Sequence, residues 1–308
     1  MSKRRVVKIG SRPSRLSQAQ TKLVADMLRS RFKEITFELV PISTRGDVSA
    51  PDRRASGGAK GAFTSDIESR LLEGEIDLAV HSMKDLPNEI PDGLAIGATP
   101  PRGDPRDGLI ANHGATFLTL PQRSRVGTGS LRRKAQLLRM RGDIEVVDIT
   151  GNVDTRIRKL ASEFDAIVLA VAGLERIGEA SRISQVFSID EMIPSVCQGV
   201  IAVEMREKDD EVGMLLSGIE DGATMLESTC ERAFSRALGA DCNVPIGGCA
   251  RVSRESITVV GMIASEDGKN LVRSRLSGPA AGGAELGKRL AEGLLKVGGA
   301  KILEGAAS

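Results

Sequence analysis

The sequence predicts an α/β fold in three domains: two doubly wound α/β lobes and a small α+β C-terminal domain. Three observations carry that expectation. Short apolar runs alternate with helix-length segments of 3.6-residue periodicity, the pattern of a mainly parallel sheet covered on both faces. The alternation breaks at "PPRGDPRDG" (100–108) and then restarts, so there are two such lobes. After Gly222 three strand-length runs follow one another with no helix between them. A chain of 308 residues is long enough for two or three domains.

The elements follow in order. "VVKIGS" (6–11) reads as a buried strand. A helix from Ser14 to Phe32 follows, with Leu16, Ala19, Leu23, Met27 and Leu28 near one face. "ITFELVPI" (35–42) is the next strand, and "TRGDVSAPDRRASGGAKGAF" (44–63) is a connection long enough to serve as a lid. A helix from Thr64 to Leu72 leads to the strand "IDLAVHS" (76–82). In the second lobe, strands at 125–127, 144–149 and 165–170 alternate with helices at 131–141, 152–161 and 172–178. "VIAVEMR" (200–206) is a buried strand that is expected to return to the first lobe, which would leave a hinged cleft. The last part holds a helix at 223–238, strands near 248–253, 256–265 and 270–276, and a helix from about 282 to 298. The expected domains are residues 1–99 with 200–219, then 100–199, then 220–308.

Composition narrows the function. Hydrophobic residues are 41% and charged residues 27%, as in a globular protein. No apolar run approaches the ~18 residues of a membrane span. The basic start "MSKRRVVKIGS" runs straight into a strand, so no signal peptide is expected and the expected location is cytoplasmic. Disulfides are uncommon there, which weakens that reading of the four cysteines. Net charge is only +2, yet residues 121–160 hold ten Lys/Arg against four Asp/Glu. Such a patch calls for an anionic partner. Aromatic content of 2%, without Trp or Tyr, leaves little to stack bases on, so a compact acidic molecule fits better than nucleic acid.

Several segments could carry chemistry. In "VHSMKDLP" (80–87), His81, Lys84 and Asp85 crowd the C-terminal end of a strand, where ligands of open α/β sheets bind. A carboxylate there can stabilise a developing cation or move a proton. In "VGTGSLRRKAQLLRMR" (126–141) a strand enters a Gly/Ser turn before a helix. Its backbone N–H groups, with Thr128 and Ser130, favour an anion, and Arg132 and Arg133 add forked donors. "TGNVDTRIRKL" (150–160) repeats the logic with Asn152 and Arg156, and "GSRPS" places Arg12 and Ser14 after the first strand. None of these matches a nucleotide-binding glycine motif. Solvated loops and a basic surface helix are the plain alternatives. Cys230 falls on a stripe with Leu226, Phe234 and Ala237 and reads as core. Cys242 and Cys249, six residues apart with no nearby His, do not form a zinc pattern. Either could be a functional thiol, and spacing does not choose between them.

Taken together, the segments "GSRPS", "STRGD", "GAKGAF", "DLAVHSMKDLP", "DPRDGLI", "GTGSLRRKAQL", "GNVDTR", "DAIVLAVAGLERIG", "CQGVIAVE" and "CNVPIGG" resemble the porphobilinogen deaminase (hydroxymethylbilane synthase) family, in order and over nearly the whole chain. The resemblance implies two lobes similar to periplasmic binding proteins with the active cleft between them. It implies a dipyrromethane cofactor in thioether linkage to Cys242, and leaves Cys249 structural. The implied reaction joins four porphobilinogen units head to tail with loss of ammonia, then hydrolyses the product to hydroxymethylbilane, in heme and other tetrapyrrole synthesis.

The resemblance also implies residue roles. Asp85 is the catalytic carboxylate, steadying the pyrrole N–H and the cation left by ammonia. Lys84, Ser14, Thr128, Ser130, Arg132, Arg133, Asn152 and Arg156 bind the cofactor. Arg12, Gln20, Arg176, Phe63 and Lys60 bind substrate, Phe63 by stacking and Lys60 from the lid. Each pyrrole carries two carboxylates, which accounts for many arginines in a chain of almost no net charge. The chain departs from common family residues at Ser56, Gly129 and Thr150. A monomer with no nucleic-acid or membrane partner is expected. The alternatives are a two-lobed binding protein for an acidic small molecule, and a cysteine-based redox or metal protein.

Overall fold

The computed structural model describes residues 6–44, 64–239 and 244–306. They form two compact units: residues up to Arg102 with Val200–Met225, and Gly103–Gly199 with the residues from Leu226 onward.

The first unit is built on β1 (Val6–Ser11), β2 (Thr36–Pro41), β3 (Leu78–Ser82), β4 (Leu94–Ala98) and Ile201–Arg206, the tenth strand in chain order (β10). The sheet order is β2-β1-β3-β10-β4. Successive side chains of a strand face opposite ways, and both faces are covered. Val7, Ile9, Leu78, Val80 and Val203 pack with Val24, Ala25 and Leu28 of the helix Arg15–Arg31. On the other face Ala79 packs with Ile67 and Leu71 of the helix Ser65–Leu72.

The long helix is where predicted, but its buried face is not. Gln20, Thr21, Val24, Ala25 and Leu28 face the core, while Leu23 is 42% exposed. Two polar residues hide the true stripe. Thr21 Oγ1 donates to Ser17 O at 2.8 Å and Gln20 Nε2 reaches Ser82 Oγ at 2.9 Å, so both are buried with partners.

In the second unit β5 (Asp107–Ala111), β6 (Arg125–Gly127), β7 (Glu145–Val147), β8 (Ala166–Ala170) and β9 (Gln185–Val186) form a sheet of order β7-β6-β8-β5-β9. Leu109, Val126, Ala166 and Val168 face one core with Leu137 of the helix Leu131–Met140. Ile110, Ile167 and Leu169 face the other with Leu160 of the helix Val153–Glu163.

In each sheet four of the five strands run in one sense, as expected of a mainly parallel sheet, and one runs antiparallel to both neighbours. That reversed strand, β10 or β5, is the one that begins just after the chain has passed from the other unit. It enters its sheet from a connection unlike the others, and so in the opposite sense.

The small C-terminal domain starts with the helix Gly222–Leu238 and continues as an antiparallel meander of β11 (Ile246–Ser253), β12 (Ser256–Ala264) and β13 (Leu271–Pro279). Cys230 and Phe234 pack against Ile257, Val259, Leu286 and Leu290, so the predicted Cys230 stripe is a core stripe. The α-helix Gly283–Leu294 runs on as a π-helical turn, Leu295–Gly299, close to the expected end near 298. Gly298, at φ +115, kinks the chain there before a further helix, Ala300–Ala306.

Candidate active site

In the first unit β1 and β3 are parallel neighbours, so both deliver their C-terminal ends to the same sheet edge. Arg12 and Ser14 follow β1. Ser14 caps the helix Arg15–Arg31, its side chain accepting from Ser17 N. After β3 the chain makes a single 3-10 turn, Met83–Asp85. Met83 and Leu86 are buried, and Met83 N donates to Val200 O at 3.0 Å. These anchors flank Lys84 and Asp85, leaving Lys84 half-buried and Asp85 exposed. Gln20 ties the helix to Ser82 at the end of the same strand.

His81 is not part of that edge. It is buried within β3, with Nε2 3.3 Å from Glu204 Oε2 of β10. Glu68, from the helix above, is buried beside them. Burial raises its carboxyl pKa and the Glu204 charge adds to this, against the Thr64 hydroxyl and His81. The crowding of His81 with Lys84 and Asp85 is thus corrected: strand alternation turns His81 to the sheet face beneath a helix.

In the second unit β6, β7 and β8 are parallel and again share a C-terminal edge. Thr128 follows β6, and Ser130 Oγ accepts from Arg133 N as the N-cap of Leu131–Met140. Asn152 follows β7 and caps Val153–Glu163, Oδ1 accepting from Thr155 N at 2.9 Å. Arg156 Nε donates to Gly151 O. Arg176 closes the helix Val171–Arg176 after β8 and donates from Nη2 to Gly199 O at 2.6 Å. Burial lowers the Arg176 pKa to about 10, which marks a guanidinium short of compensating charge.

Arg132 and Arg133 are both about 5% exposed and meet a residue that sequence reasoning missed. Asp107 opens β5, and because β5 is antiparallel to β8 its first residue reaches the edge where β8 ends. Arg132 Nη1 lies 2.7 Å from Asp107 Oδ2, and Arg133 Nε 2.9 Å from Oδ1. Gln198 Nε2 also donates to Oδ1, at 2.9 Å. Burial alone would raise the Asp107 pKa, but the two guanidiniums hold it well below the usual carboxylate range. Arg132 Nη1 and Arg133 Nη1 also reach the carbonyls of Ile193 and Val168. A signal existed in the sequence: an Asp at the mouth of an apolar run must find a cation.

The cluster holds two guanidiniums and one carboxylate, and Arg132 Nε is buried with no hydrogen-bond partner among the described residues. One positive charge is left over, the complement of one ligand carboxylate. The Gly129 departure also has a cause here. A Cβ on Gly129 would fall 2.9 Å from Ile149 O, closer than real Cβ atoms come. Thr150 is exposed. Cys242, Phe63, Lys60 and Ser56 lie outside the described residues. Cys197, Cys230 and Cys249 are buried, and none of them forms a disulfide among the described residues. Burial, helped by the Glu231 charge, pushes the Cys230 thiol up to about 12, so it is chemically quiet.

Fold and site define an α/β protein that presents cationic and hydroxyl groups at strand C-termini, where ligands of such sheets bind. Comparison with known proteins narrows this. Residues 7–214 match the model described as porphobilinogen deaminase, dipyromethane cofactor binding domain, and residues 225–296 match the porphobilinogen deaminase C-terminal domain. The chain belongs to the porphobilinogen deaminase family. It is 43% identical to the porphobilinogen deaminase of Syntrophotalea carbinolica, over 96% of this chain and 95% of that one. It is 44% identical to that of Syntrophus aciditrophicus, over 97% and 98%. Among solved structures it is similar to the ligand binding component of an ABC-type import system from Staphylococcus aureus, at 12% identity and a TM-score of 0.41 over 75% and 73% of the two chains.

Proposed function

We propose that this chain is a transferase of tetrapyrrole synthesis. It condenses porphobilinogen units head to tail with loss of ammonia, on a dipyrromethane cofactor, and releases hydroxymethylbilane by hydrolysis. The observation that carries this is family membership across both matched regions, 7–214 and 225–296. Nothing observed favours a binding protein without chemistry.

The residues fit the cofactor by the chemistry of their donors. The unbalanced guanidinium of the Arg132–Arg133–Asp107 cluster calls for a carboxylate, and the cofactor is a polycarboxylate. When bound, it supplies the pyrrole end to which units are added. In this reading Arg132, Arg133, Arg156, Lys84, Thr128, Ser130, Asn152 and Ser14 hold its acid groups, and Arg12, Arg176 and Gln20 hold those of the substrate. Phe63 stacks near the incoming ring and Lys60 belongs to a lid. Asp85 accepts the pyrrole N–H, balances the cation created as ammonia leaves, and moves a proton. Cys242 is the thioether anchor. The burial of Cys197, Cys230 and Cys249 supports that choice among the thiols.

We place residues 1–99 with 200–219, residues 100–199 and residues 220–308 as three domains of a cytoplasmic monomer. Among the described residues no helix is long and apolar enough to cross a membrane. Intact mass spectrometry tests the reading. The purified chain is expected to be heavier than its sequence by one dipyrromethane, and Cys242→Ala to lose that increment. An active chain of unmodified mass would sink it.

A further inference from the structure

The second unit contains a buried acid that no role above uses. Glu231, on the helix Gly222–Leu238, is fully buried. Its two oxygens take two backbone donors from different parts of the unit. Oε2 accepts from Cys197 N, and Oε1 accepts from Ala250 N of β11 at 2.7 Å. Cys197 is one of four non-glycine residues at positive φ among the described residues, at φ 58. A left-handed backbone of that kind is unfavourable for an ordinary residue and persists only where its surroundings impose it. Here the Glu231 carboxylate takes the backbone N–H of that residue, and Ser228 O lies 3.8 Å from its Sγ.

The next residue, Gln198, is fully buried as well. It donates to Asp107 Oδ1 and to Pro105 O at 2.7 Å, and its Oε1 lies 3.5 Å from Arg133 Nη2. On the near side of the turn, Ile193 O takes Arg132 Nη1, and Pro194 O takes Gly248 N of β11 at 2.9 Å. The segment 193–198 is therefore stapled on one flank to the arginine pair and on the other to the C-terminal domain. β11 begins at Ile246, four residues after Cys242.

We propose that Glu231 is a positioning residue for cofactor attachment. It holds the 195–198 turn against β11, so that Gln198, Asp107 and the two arginines keep register with that strand. This rests on the functional reading above. The helix supplies its own control. One turn earlier, Glu227 is buried in the same way and takes Val252 N at 3.0 Å and Arg251 Nη1 at 3.2 Å on the same strand. Both oxygens of Glu227 thus meet β11, whereas those of Glu231 are divided between β11 and the turn. Glu231→Gln and Glu227→Gln therefore both weaken the helix–β11 seam, and the first also loosens the turn.

The test uses full-length apo-protein made in cells unable to supply porphobilinogen. Porphobilinogen is then added, and the gain of one dipyrromethane is followed by intact mass, with thermal melts of the apo-proteins alongside. Glu231→Gln is expected to load at least tenfold more slowly than wild type, while Glu227→Gln stays within threefold at a comparable melting temperature. Gln198→Met, which loosens the turn from its other side, is expected to slow loading as much as Glu231→Gln, and the double variant no further. Loading of Glu231→Gln or of Gln198→Met less than tenfold below wild type would overturn the proposal, as would equal slowing in Glu227→Gln. If Glu231→Gln fails to fold, the Gln198→Met rate decides alone. A wild-type chain that gains no mass would sink the functional reading instead.

Discussion

Asp85 is offered to solvent by its neighbours rather than by its own contacts. Met83 and Leu86 are buried on either side, so the short turn presents Asp85 outward and leaves Lys84 half-buried. Removing the charge while keeping the shape should leave that turn intact. Asp85→Asn is expected to lose about a hundredfold or more in turnover per loaded molecule, the scale of general acid–base catalysis, with an unchanged melting temperature. Turnover within a few-fold of wild type would remove Asp85 from the chemistry. At this scale the sequence is most informative where chemistry follows a strand end, as at Arg12, Lys84, Asp85 and Thr128. It is silent on Asp107, Gln198 and Glu231. Their partners are 19 to 93 residues away along the chain, and local spacing carries no signal over such separations.

Elements are legible wherever apolar periodicity is unbroken, and misleading where polar residues or glycines carry the structure. The helix Arg15–Arg31 is evident in the sequence, but its face is mis-phased because Gln20 and Thr21 are buried with partners. The strand β5 escapes notice because an aspartate opens it, and β9 because it is only two residues long. The turn 128–130 shows the same dependence on backbone fit. Gly129 passes so close to Ile149 O that any side chain there must push β6 and the 149–151 segment apart. Gly129→Ser, although it matches the common family residue, is expected to destabilise this chain by about 1–3 kcal/mol, the scale of overpacking. It should also reduce the loaded fraction, since the same turn caps the helix that carries Arg132 and Arg133. Denaturant melts and intact mass of the variant check both effects, and a Ser variant as stable and as fully loaded as wild type would refute the close-approach account.

Across the whole molecule, the two units carry buried acids that respond to pH in opposite senses. In the first unit Glu68 is raised above its ordinary value of 4.5, chiefly by burial. A raised folded value means the native state holds its proton more tightly than the unfolded chain. The associated stability is present below about pH 4 and is lost as pH rises through the raised value. In the second unit Asp107 is depressed despite burial, because Arg132 and Arg133 pair with it. Its stability is present above about pH 4 and is lost as pH falls below that, where an unfolded aspartate takes up protons and the native one does not. Acid should therefore loosen the second unit first. Hydrogen exchange of β5 and β8, corrected for the intrinsic rate, is expected to lose protection progressively as pH falls below about 4, while β1 and β3 hold theirs. Glu68→Gln imitates the protonated acid and should stabilise the first unit at pH 7, with no gain at pH 3. Asp107→Asn should cost the second unit about 3–5 kcal/mol at pH 7, because it strands two buried guanidiniums, and that penalty should shrink towards pH 3. A second unit that keeps its protection at pH 3, or a Glu68→Gln gain that is the same at both pH values, would show that these two carboxyls do not govern the acid response.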